Sequence, residues 1–211
     1  MTQLQVLEHP LIADAVRRLR DVATSNADFL RLAGEISRFL AYEALRDLPL
    51  EPTTVDTPVV TQAPSVRVAR STIIVPILRA GLGMSPAVQA VLPEHRVCLV
   101  GLRRNETTLQ PDLYLDGLPT DLRGESIVVC DPMLATGGSL VAVLDLLRGR
   151  GATDVTALVL IAAQPGVDRV LAAHPGVRIV AAALDPVLND VGYITPGLGD
   201  AGDRLFGPPV H

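Results

Sequence analysis

An acid, a short loop and two glycines follow one another in the segment Val128–Ser139, whose sequence is VVCDPMLATGGS. Its apolar first part predicts a buried strand that ends at Asp131, and Gly137 and Gly138 predict a turn that opens into a helix. Backbone N–H groups in such a turn and the positive end of the helix dipole favour phosphate. The segment is neither a Walker loop nor a dinucleotide fingerprint. On these residues alone, a phosphate site and an ordinary strand–turn–helix joint are equally good interpretations.

Arg79 stands at the end of a second apolar run, Thr72–Leu78, and precedes a glycine-containing segment that ends at Met84. The run predicts a strand, and the glycines predict a short loop before a helix. A guanidinium group in a glycine-containing loop at the carboxyl end of a strand can bind a pyrophosphate. An exposed surface arginine is the alternative interpretation.

The C-terminal segment Gly192–Arg204 combines several glycines and a proline with two acids, Asp200 and Asp203. Glycine and proline are denser here than a plain chain end needs. One interpretation is a flexible end. The other is a lid whose backbone is held in a fixed shape and recognises a small planar ligand through its peptide groups.

The elements that position these segments follow from the apolar periodicity. We expect two helices between His9 and Asp47, separated by a polar break at 24–26, and then a Pro/Thr-rich connector, Pro49–Pro64. Beyond it, continuous apolar runs typical of strands covered on both faces predict a parallel sheet with helices on both sides, an α/β fold. The predicted strands are Thr72–Leu78, Arg96–Leu102, Ser126–Asp131, Val155–Ala162 and Val177–Leu184, and the predicted helices between them are Leu82–Leu92, Ser139–Arg150 and Val167–Ala173.

The length of 211 residues is typical of a single domain. We divide residues 1–211 into a helical N-terminal segment (1–50), an α/β core (71–184) and a C-terminal segment (185–211). The polar, turn-rich stretch Arg103–Arg123 interrupts the core, and irregular stretches of this length are usually functional or disordered.

Composition restricts the kinds of partner. The net charge is −5, lysine is absent and only six residues are aromatic, which disfavours a nucleic-acid surface. No stretch reaches the roughly 20 apolar residues of a membrane helix, and no signal peptide is evident, so we expect no membrane association and a cytoplasmic protein. Cys98 and Cys130 lie in apolar runs and are expected to be core residues rather than a disulfide.

Several of these segments resemble uracil phosphoribosyltransferases, which have the type I phosphoribosyltransferase fold. Residues 131–139 (DPMLATGGS) resemble that family's loop for 5-phospho-α-D-ribose 1-diphosphate (PRPP), and 75–84 (VPILRAGLGM) resemble its pyrophosphate loop. Residues 192–204 (GYITPGLGDAGDR) resemble its uracil-binding hood, and 101–109 (GLRRNETTL) resemble the start of its flexible hairpin. The resemblance covers nearly the whole chain and implies that uracil and PRPP are converted to UMP and diphosphate.

The resemblance also implies roles for residues. Asp131 faces the ribose, Arg79 and Arg104 face the pyrophosphate, and Asp200 orients the hydration shell of Mg²⁺, which is held by PRPP and water rather than directly by the protein. Arg79, Asp131 and Asp200 are the expected catalytic residues. The implied PRPP-binding residues are Arg79, Arg104, Asp131, Pro132, Met133, Leu134, Ala135, Thr136, Gly137, Gly138, Ser139 and Asp200, and the implied uracil-binding residues are Tyr193, Ile194, Gly199, Asp200 and Ala201.

The chain departs from the family pattern in a few positions. Arg103 and Asn105 stand where the family often has Tyr and Asp, Gly117 stands where it often has Lys, and residues 85–87 (SPA) replace a more usual Val-Asp-Gly. These departures put the dynamics of the hairpin and the binding of pyrophosphate in doubt.

Two alternatives remain at this point. One is a phosphoribosyltransferase for another base, against which only the hood argues. The other is a regulator of the same fold that senses uracil nucleotides and binds RNA, which the acidic net charge disfavours. The apolar chain with its N-terminal helices suggests a homodimer or a larger homo-oligomer, and the sequence leaves open whether GTP is an effector, as it is for some relatives.

Overall fold

The computed structural model of the chain describes residues 3–104 and 111–207, with the backbone alone at Arg104. Within these ranges no helix is both long and apolar enough to cross a membrane. The strands are β1 (Leu4–Val6), β2 (Leu50–Val55), β3 (Ala63–Val68), β4 (Thr72–Leu78), β5 (His95–Val97), β6 (Val100–Arg104), β7 (Pro111–Asp116), β8 (Ser126–Cys130), β9 (Met133–Leu134), β10 (Asp154–Ala163), β11 (Arg178–Asp185), β12 (Val187–Leu188) and β13 (Ile194–Thr195). The helices are α1 (Pro10–Arg20), α2 (Asn26–Ala44), α3 (Ser85–Gln89), α4 (Gly138–Gly149), α5 (Gln164–Ala173) and α6 (Ala201–Phe206), with a 3₁₀ turn at Ala80–Gly83.

A mostly parallel sheet organises the chain. Its strand order is β1-β11-β10-β8-β4-β6-β7, with β5 beside β4 and β9 beside β10. All neighbours pair in parallel except β6 and β7, which form an antiparallel hairpin. This sheet confirms the predicted α/β fold class.

Helices cover both faces of the sheet, as the continuous apolar strands predicted. Alternate side chains of a strand point to opposite faces. Ile74 and Val128 therefore pack into a core shared with α1, α2, α3 and α6, whereas Ile73 and Val129 pack into a second core shared with α4 and α5. Because both faces are buried, neither shows the polar alternation of a half-exposed sheet.

The N-terminal helices begin and end close to the predicted positions. α2 begins after Ser25, whose hydroxyl accepts a hydrogen bond of 3.2 Å from the backbone N–H of Asp28. This is the usual N-cap arrangement, and it explains why the polar break separates two helices.

The structure corrects three of the predicted elements. The prediction of a connector at Pro49–Pro64 is wrong, because β2 and the start of β3 lie there and form an antiparallel ribbon. A two-stranded ribbon has free edges that tolerate proline. The helix Leu82–Leu92 is shorter, since a 3₁₀ turn precedes α3. The strand Arg96–Leu102 is divided into β5 and β6, although both pair with β4. The short strand β1 has no counterpart among the predictions.

Candidate active site

A cleft of about 410 Å³ lies at the carboxyl edge of the parallel strands. Doubly wound sheets bind their ligands at this edge. The cleft brings together the phosphate loop (Asp131–Ser139), the start of the 3₁₀ turn and the hood, whose described residues are 185–207. Its lining residues are Ala80, Leu102, Arg103, Pro111, Met133, Ala135, Thr136, Gly138, Ser139, Val191, Gly192, Tyr193, Ile194, Gly199, Asp200, Ala201 and Gly202.

The phosphate loop is fixed to the neighbouring strand β10. The backbone N–H groups of Leu160 and Ile161 both donate to the carbonyl oxygen of Pro132, each at 3.0 Å. The side chain of Leu134 is buried in the core. Pro132 and Leu134 therefore anchor the loop, and five of its other members line one side of the cleft: Met133, Ala135, Thr136, Gly138 and Ser139.

The first turn of α4 opens towards the cleft. Gly137 occupies the N-cap position with φ 77°, a left-handed conformation, and no side chain caps the helix. The first backbone N–H groups of an uncapped helix need partners from elsewhere, and an anion is a favourable one.

Helix α5 packs closely behind this loop. A Cβ added at Gly166 would lie 2.2 Å from the carbonyl oxygen of Ala135, so only glycine allows this approach. The contact supports the middle of the loop from the start of α5. The sequence motif itself, which ends at Ser139, gives no indication of this support.

Asp131 directly follows β8 and is the first residue of the phosphate loop. Its backbone N–H donates to Leu158 at 3.2 Å, and its Oδ1 accepts a long hydrogen bond of 3.5 Å from Met133. The residue is half-buried, and the burial of its carboxyl raises the pKa of Asp131 to about 7. Asp131 does not itself line the cleft, but its carboxyl contacts Met133, which does, and its protonation state changes near neutrality.

Arg79 and Asp200 occupy facing segments. Arg79 precedes the 3₁₀ turn, and its Nη2 lies 3.3 Å from Oδ1 of Asp203 on α6. Asp200 is the N-cap of α6 and accepts a 3.0 Å hydrogen bond from the backbone N–H of Asp203. The residue assigned to the metal shell is therefore also a helix cap, which engages one of its two carboxylate oxygens.

The hairpin that begins with β6 borders the cleft. Arg103 is exposed and contributes to the lining. The side chain of Arg104 and the whole of Asn105 lie outside the described residues, so the role expected of Arg104 and the effect of the departure at Asn105 stay predictions. At Gly117 an added Cβ would lie 2.9 Å from the carbonyl oxygen of Leu99, so the backbone there is too close for the lysine common in the family.

The hood contains β12, β13 and α6 and forms one wall of the cleft. The Oδ1 of Asn189 accepts hydrogen bonds from the N–H groups of Val191 at 3.1 Å and Tyr193 at 2.8 Å. The side chain of Tyr193 is exposed, whereas Ile194 is buried. Together with Gly199, Asp200 and Ala201, these two line the cleft, so all five residues expected at the uracil site lie in one wall.

One arginine near the cleft was missed by the sequence analysis. Arg169 on α5 donates a 3.4 Å hydrogen bond from Nη1 to the carbonyl oxygen of Thr136. The same nitrogen lies 3.6 Å from the position that a Cβ of Gly138 would occupy. A cation thus stands beside the opening of α4, and no spacing in the sequence connects it with the phosphate loop.

The carboxylates near the cleft suit a metal ion that is bound mainly by the phosphate oxygens of a substrate. No cluster of three or more His, Cys, Asp or Glu side chains capable of holding a metal occurs in the described parts of the chain. The carboxylates of Asp131 and Asp200 are hard oxygen donors of the type that Mg²⁺ prefers. A Mg²⁺ ion coordinated largely by phosphate oxygens and water would fit such a site.

Comparisons with known proteins agree with this geometry. The sequence model described as uracil phosphoribosyltransferase matches residues 6–208. The uracil phosphoribosyltransferase of Kineococcus radiotolerans is 50% identical over 209 residues, which cover 97% of this chain and 99% of that protein. The enzyme of the same name from Corynebacterium diphtheriae is 46% identical over 206 residues, which cover 98% and 97%.

Solved structures show the same fold. An Aquifex aeolicus protein superposes with a TM-score of 0.90 at 38% identity, covering 99% of this chain and 100% of that one. A hypoxanthine-guanine phosphoribosyltransferase of Bacillus anthracis shares the fold, with a TM-score of 0.51 at 11% identity over 76% of this chain and 80% of that one. None of these matches supports the RNA-binding regulator. The match over residues 6–208 and the identity of these relatives place this chain in the uracil phosphoribosyltransferase family.

Proposed function

We propose that the chain transfers the 5-phosphoribosyl group of PRPP to N1 of uracil and so forms UMP and diphosphate. The observation that carries this proposal is that the phosphate loop and the hood line the same cleft. The former suits a phosphate monoester, and the latter suits a small planar base. The family membership supports the same reaction.

PRPP would lie along the carboxyl edge of the sheet. Its 5′-phosphate would bind the peptide groups of Ala135–Ser139 at the uncapped start of α4. Asp131, the first residue of the loop, would hold the ribose hydroxyls. Arg79 and Arg104 would bind the pyrophosphate, where a guanidinium group can pair with two oxygens at once.

Uracil would be recognised by peptide groups of the hood around Ile194 and Gly199–Ala201, beside Tyr193. The base presents one N3–H donor between two carbonyl acceptors, so a matching wall needs one acceptor and two donors. Cytosine replaces one carbonyl with an amino group, and a buried donor would then face another donor. Sites of this kind discriminate strongly, because the wrong partner leaves a polar group unpaired.

The protein would catalyse this reaction mainly by positioning the substrates and stabilising charge, and not by forming a covalent intermediate. The C1–O bond to diphosphate breaks, the N1–C1 bond forms, and uracil loses its N1 proton. Positive charge develops on the ribose in the transition state, and the carboxylate of Asp131 would stabilise it. The hood would hold N1 against C1, which lowers the entropic part of the barrier. Bound Mg²⁺, with Asp200 beside it, would neutralise charge on the departing diphosphate.

Exposed apolar side chains bear on assembly, and the two cysteines bear on location. The β2–β3 ribbon and its connecting turn carry apolar side chains in solvent: Val59 in the turn is 90% exposed, and Val66 on β3 is 60% exposed. This supports the proposal that the chain forms a homodimer or a larger homo-oligomer. Cys98 and Cys130 are both free thiols, which is consistent with the reducing cytoplasm, the proposed location.

The direct test is UMP formation from uracil, PRPP and Mg²⁺, with cytosine, orotate and hypoxanthine assayed in parallel. We expect UMP from uracil and no product from the other bases, and we expect removal of Mg²⁺ by a chelator to stop turnover. Turnover of another base in preference to uracil would contradict the assignment of the hood. Repeating the assay with added GTP measures whether this nucleotide activates the enzyme.

A further inference from the structure

A buried ion pair joins the end of α1 to the hood. Both carboxylate oxygens of Asp185 accept from Arg20, Oδ1 from Nη2 at 2.7 Å and Oδ2 from Nη1 at 2.8 Å. The side chain of Asp185 is only 6% exposed and that of Arg20 is 22% exposed. Bidentate pairs of this kind are strong and fix the relative orientation of both side chains.

The same pair binds one residue of the hood from two sides. The backbone N–H of Gly197 donates to Oδ2 of Asp185 at 2.9 Å, and its carbonyl oxygen accepts from Nη1 of Arg20 at 2.8 Å. Gly197 has φ +57°, and a Cβ there would lie 2.1 Å from the carbonyl oxygen of Ile194. The turn between Ile194 and Gly199 is therefore held in one conformation by a closed set of hydrogen bonds.

A second arginine also connects the hood and α1. Whereas Arg20 extends from α1 to the hood, this arginine extends from the hood to the end of α1. Arg204, on α6, donates from Nη1 to the carbonyl oxygens of Leu19 at 2.7 Å and Leu198 at 3.0 Å, and from Nη2 to that of Asp21 at 2.7 Å. Carbonyl groups at the end of a helix lack partners within it, and a cation there is favourable. The guanidinium group also lies 4.3 Å from the ring centroid of Phe29.

These contacts lie on both sides of the residues proposed to read uracil. Gly199–Ala201 follow directly after Gly197 and Leu198, and Ile194 precedes them. A site that recognises a base through peptide groups has no side chains to adapt, so its backbone must be in place before the base arrives. Ordering it at the time of binding would cost affinity.

We propose that Arg20 and Asp185 are positioning residues for uracil recognition, which hold the hood in its base-reading conformation from outside the cleft. This inference rests on the proposed uracil site. Neither residue lines the cleft. Both contact Gly197, which lies between Ile194 and Gly199 of the proposed uracil site, so their loss should weaken the binding of uracil more than the binding of PRPP. The phosphate loop is attached to β10 independently of them, and the backbone of Arg79 directly follows β4, although the Arg79 side chain also contacts Asp203 of the hood.

The first variant is Arg20→Lys, which keeps the charge but cannot bind both Asp185 oxygens and the Gly197 carbonyl at once. The second is the double variant Arg20→Met with Asp185→Asn, which avoids leaving one buried charge unpaired. The matched control is Arg17→Met with Asp14→Asn, an exposed pair on the same helix at 2.8 Å. Thermal unfolding identifies any variant that fails to fold.

In R20K we expect KM for uracil to increase on the order of tenfold to a hundredfold, while KM for PRPP stays close to that of the wild type. We call R20K and the Arg20→Met, Asp185→Asn double variant the clamp variants. Hydrogen–deuterium exchange of residues 193–206 in the free enzyme should accelerate in both clamp variants and not in the control. An equal increase in both KM values, or unchanged exchange in these residues, would overturn the proposal.

Wild-type exchange with and without UMP separates this inference from the function on which it rests. If UMP does not protect residues 193–201 in the wild type, the hood is not the uracil site and both proposals fail. If UMP protects them but the clamp variants exchange like the wild type, the uracil site stands and only the role of Arg20 and Asp185 is wrong.

Discussion

Nη2 of Arg79 lies 3.3 Å from Oδ1 of Asp203, so the arginine proposed to bind pyrophosphate is paired with an acid of the hood. Both side chains are nearly half-exposed, at 47% and 43%. Such a pair contributes little to stability, at most about 1 kcal/mol. It does place a negative charge beside the proposed site for a polyanionic substrate. PRPP that binds Arg79 would have to break the ion pair between Arg79 and Asp203.

Replacing Asp203 by Asn should therefore improve the binding of PRPP. The change removes a like charge and frees the guanidinium group, so we expect KM for PRPP to fall by about two- to fivefold. Steady-state kinetics at saturating uracil measure it, with Asp14→Asn as the control for a lost surface charge. A higher KM for PRPP in D203N would instead mean that Asp203 holds Arg79 in its productive position.

The pH dependence of turnover should report on Asp131, because burial raises the pKa of its carboxyl to about 7. A neutral carboxyl cannot stabilise positive charge on the ribose, so kcat/KM for PRPP should increase as the pH rises through about 7 and then level off. The D131N variant should lose most of its turnover together with this inflection. An unchanged profile in D131N would assign the titration to another group.

Folding stability should change with pH in the opposite direction. Between the ordinary carboxyl pKa of 3.8 and the raised value of about 7, the folded state keeps a proton that the unfolded state has lost. The free energy of unfolding should therefore fall as the pH rises across this window, by an amount on the order of a few kcal/mol, and stay level above it. Urea denaturation of the ligand-free protein at several pH values measures the decline, which should be smaller in D131N.

Replacing Arg169 by Ala should weaken ligands that carry a 5′-phosphate. Its guanidinium group stands at the opening of α4, 3.4 Å from the Thr136 carbonyl oxygen. Loss of a charge-assisted contact to phosphate should weaken UMP binding about tenfold. Uridine, which lacks the phosphate, should bind the variant and the wild type equally. Calorimetry with both ligands makes the comparison, and Arg148→Ala on α4 is the control; equal weakening of uridine would indicate a merely structural role.

Replacing Gly166 by Ala should disturb the phosphate loop from behind. The new Cβ would meet the Ala135 carbonyl oxygen at 2.2 Å, so the loop or α5 must move. We expect the free energy of unfolding to fall by about 1–3 kcal/mol and KM for PRPP to rise. Gly149→Ala is the control, because a Cβ there meets nothing within 4 Å. A G166A variant with wild-type kinetics would show that the contact does not shape the loop.

Local features of the chain were predictable where neighbouring residues decide them. The central strands and α4 follow from continuous apolar runs, and Ser25 marks the start of α2 because a hydroxyl there caps it. The phosphate loop belongs to the same group, since one strand, one turn and one helix form it. The β2–β3 ribbon was missed because its prolines argue against a strand, and only its exposed edges make them acceptable.

The sequence by itself therefore determined the α/β class, the three glycine-containing segments of the cleft and, through their resemblance, the family. Only the tertiary structure paired Arg20 with Asp185, 165 residues apart, Arg79 with Asp203, 124 apart, and Arg169 with Thr136, 33 apart. The physical reason is that secondary structure depends on neighbours along the chain, whereas these contacts depend on crossovers that bring distant strand ends to one edge of the sheet. No spacing between residues records which distant carboxylate or carbonyl group an arginine will meet.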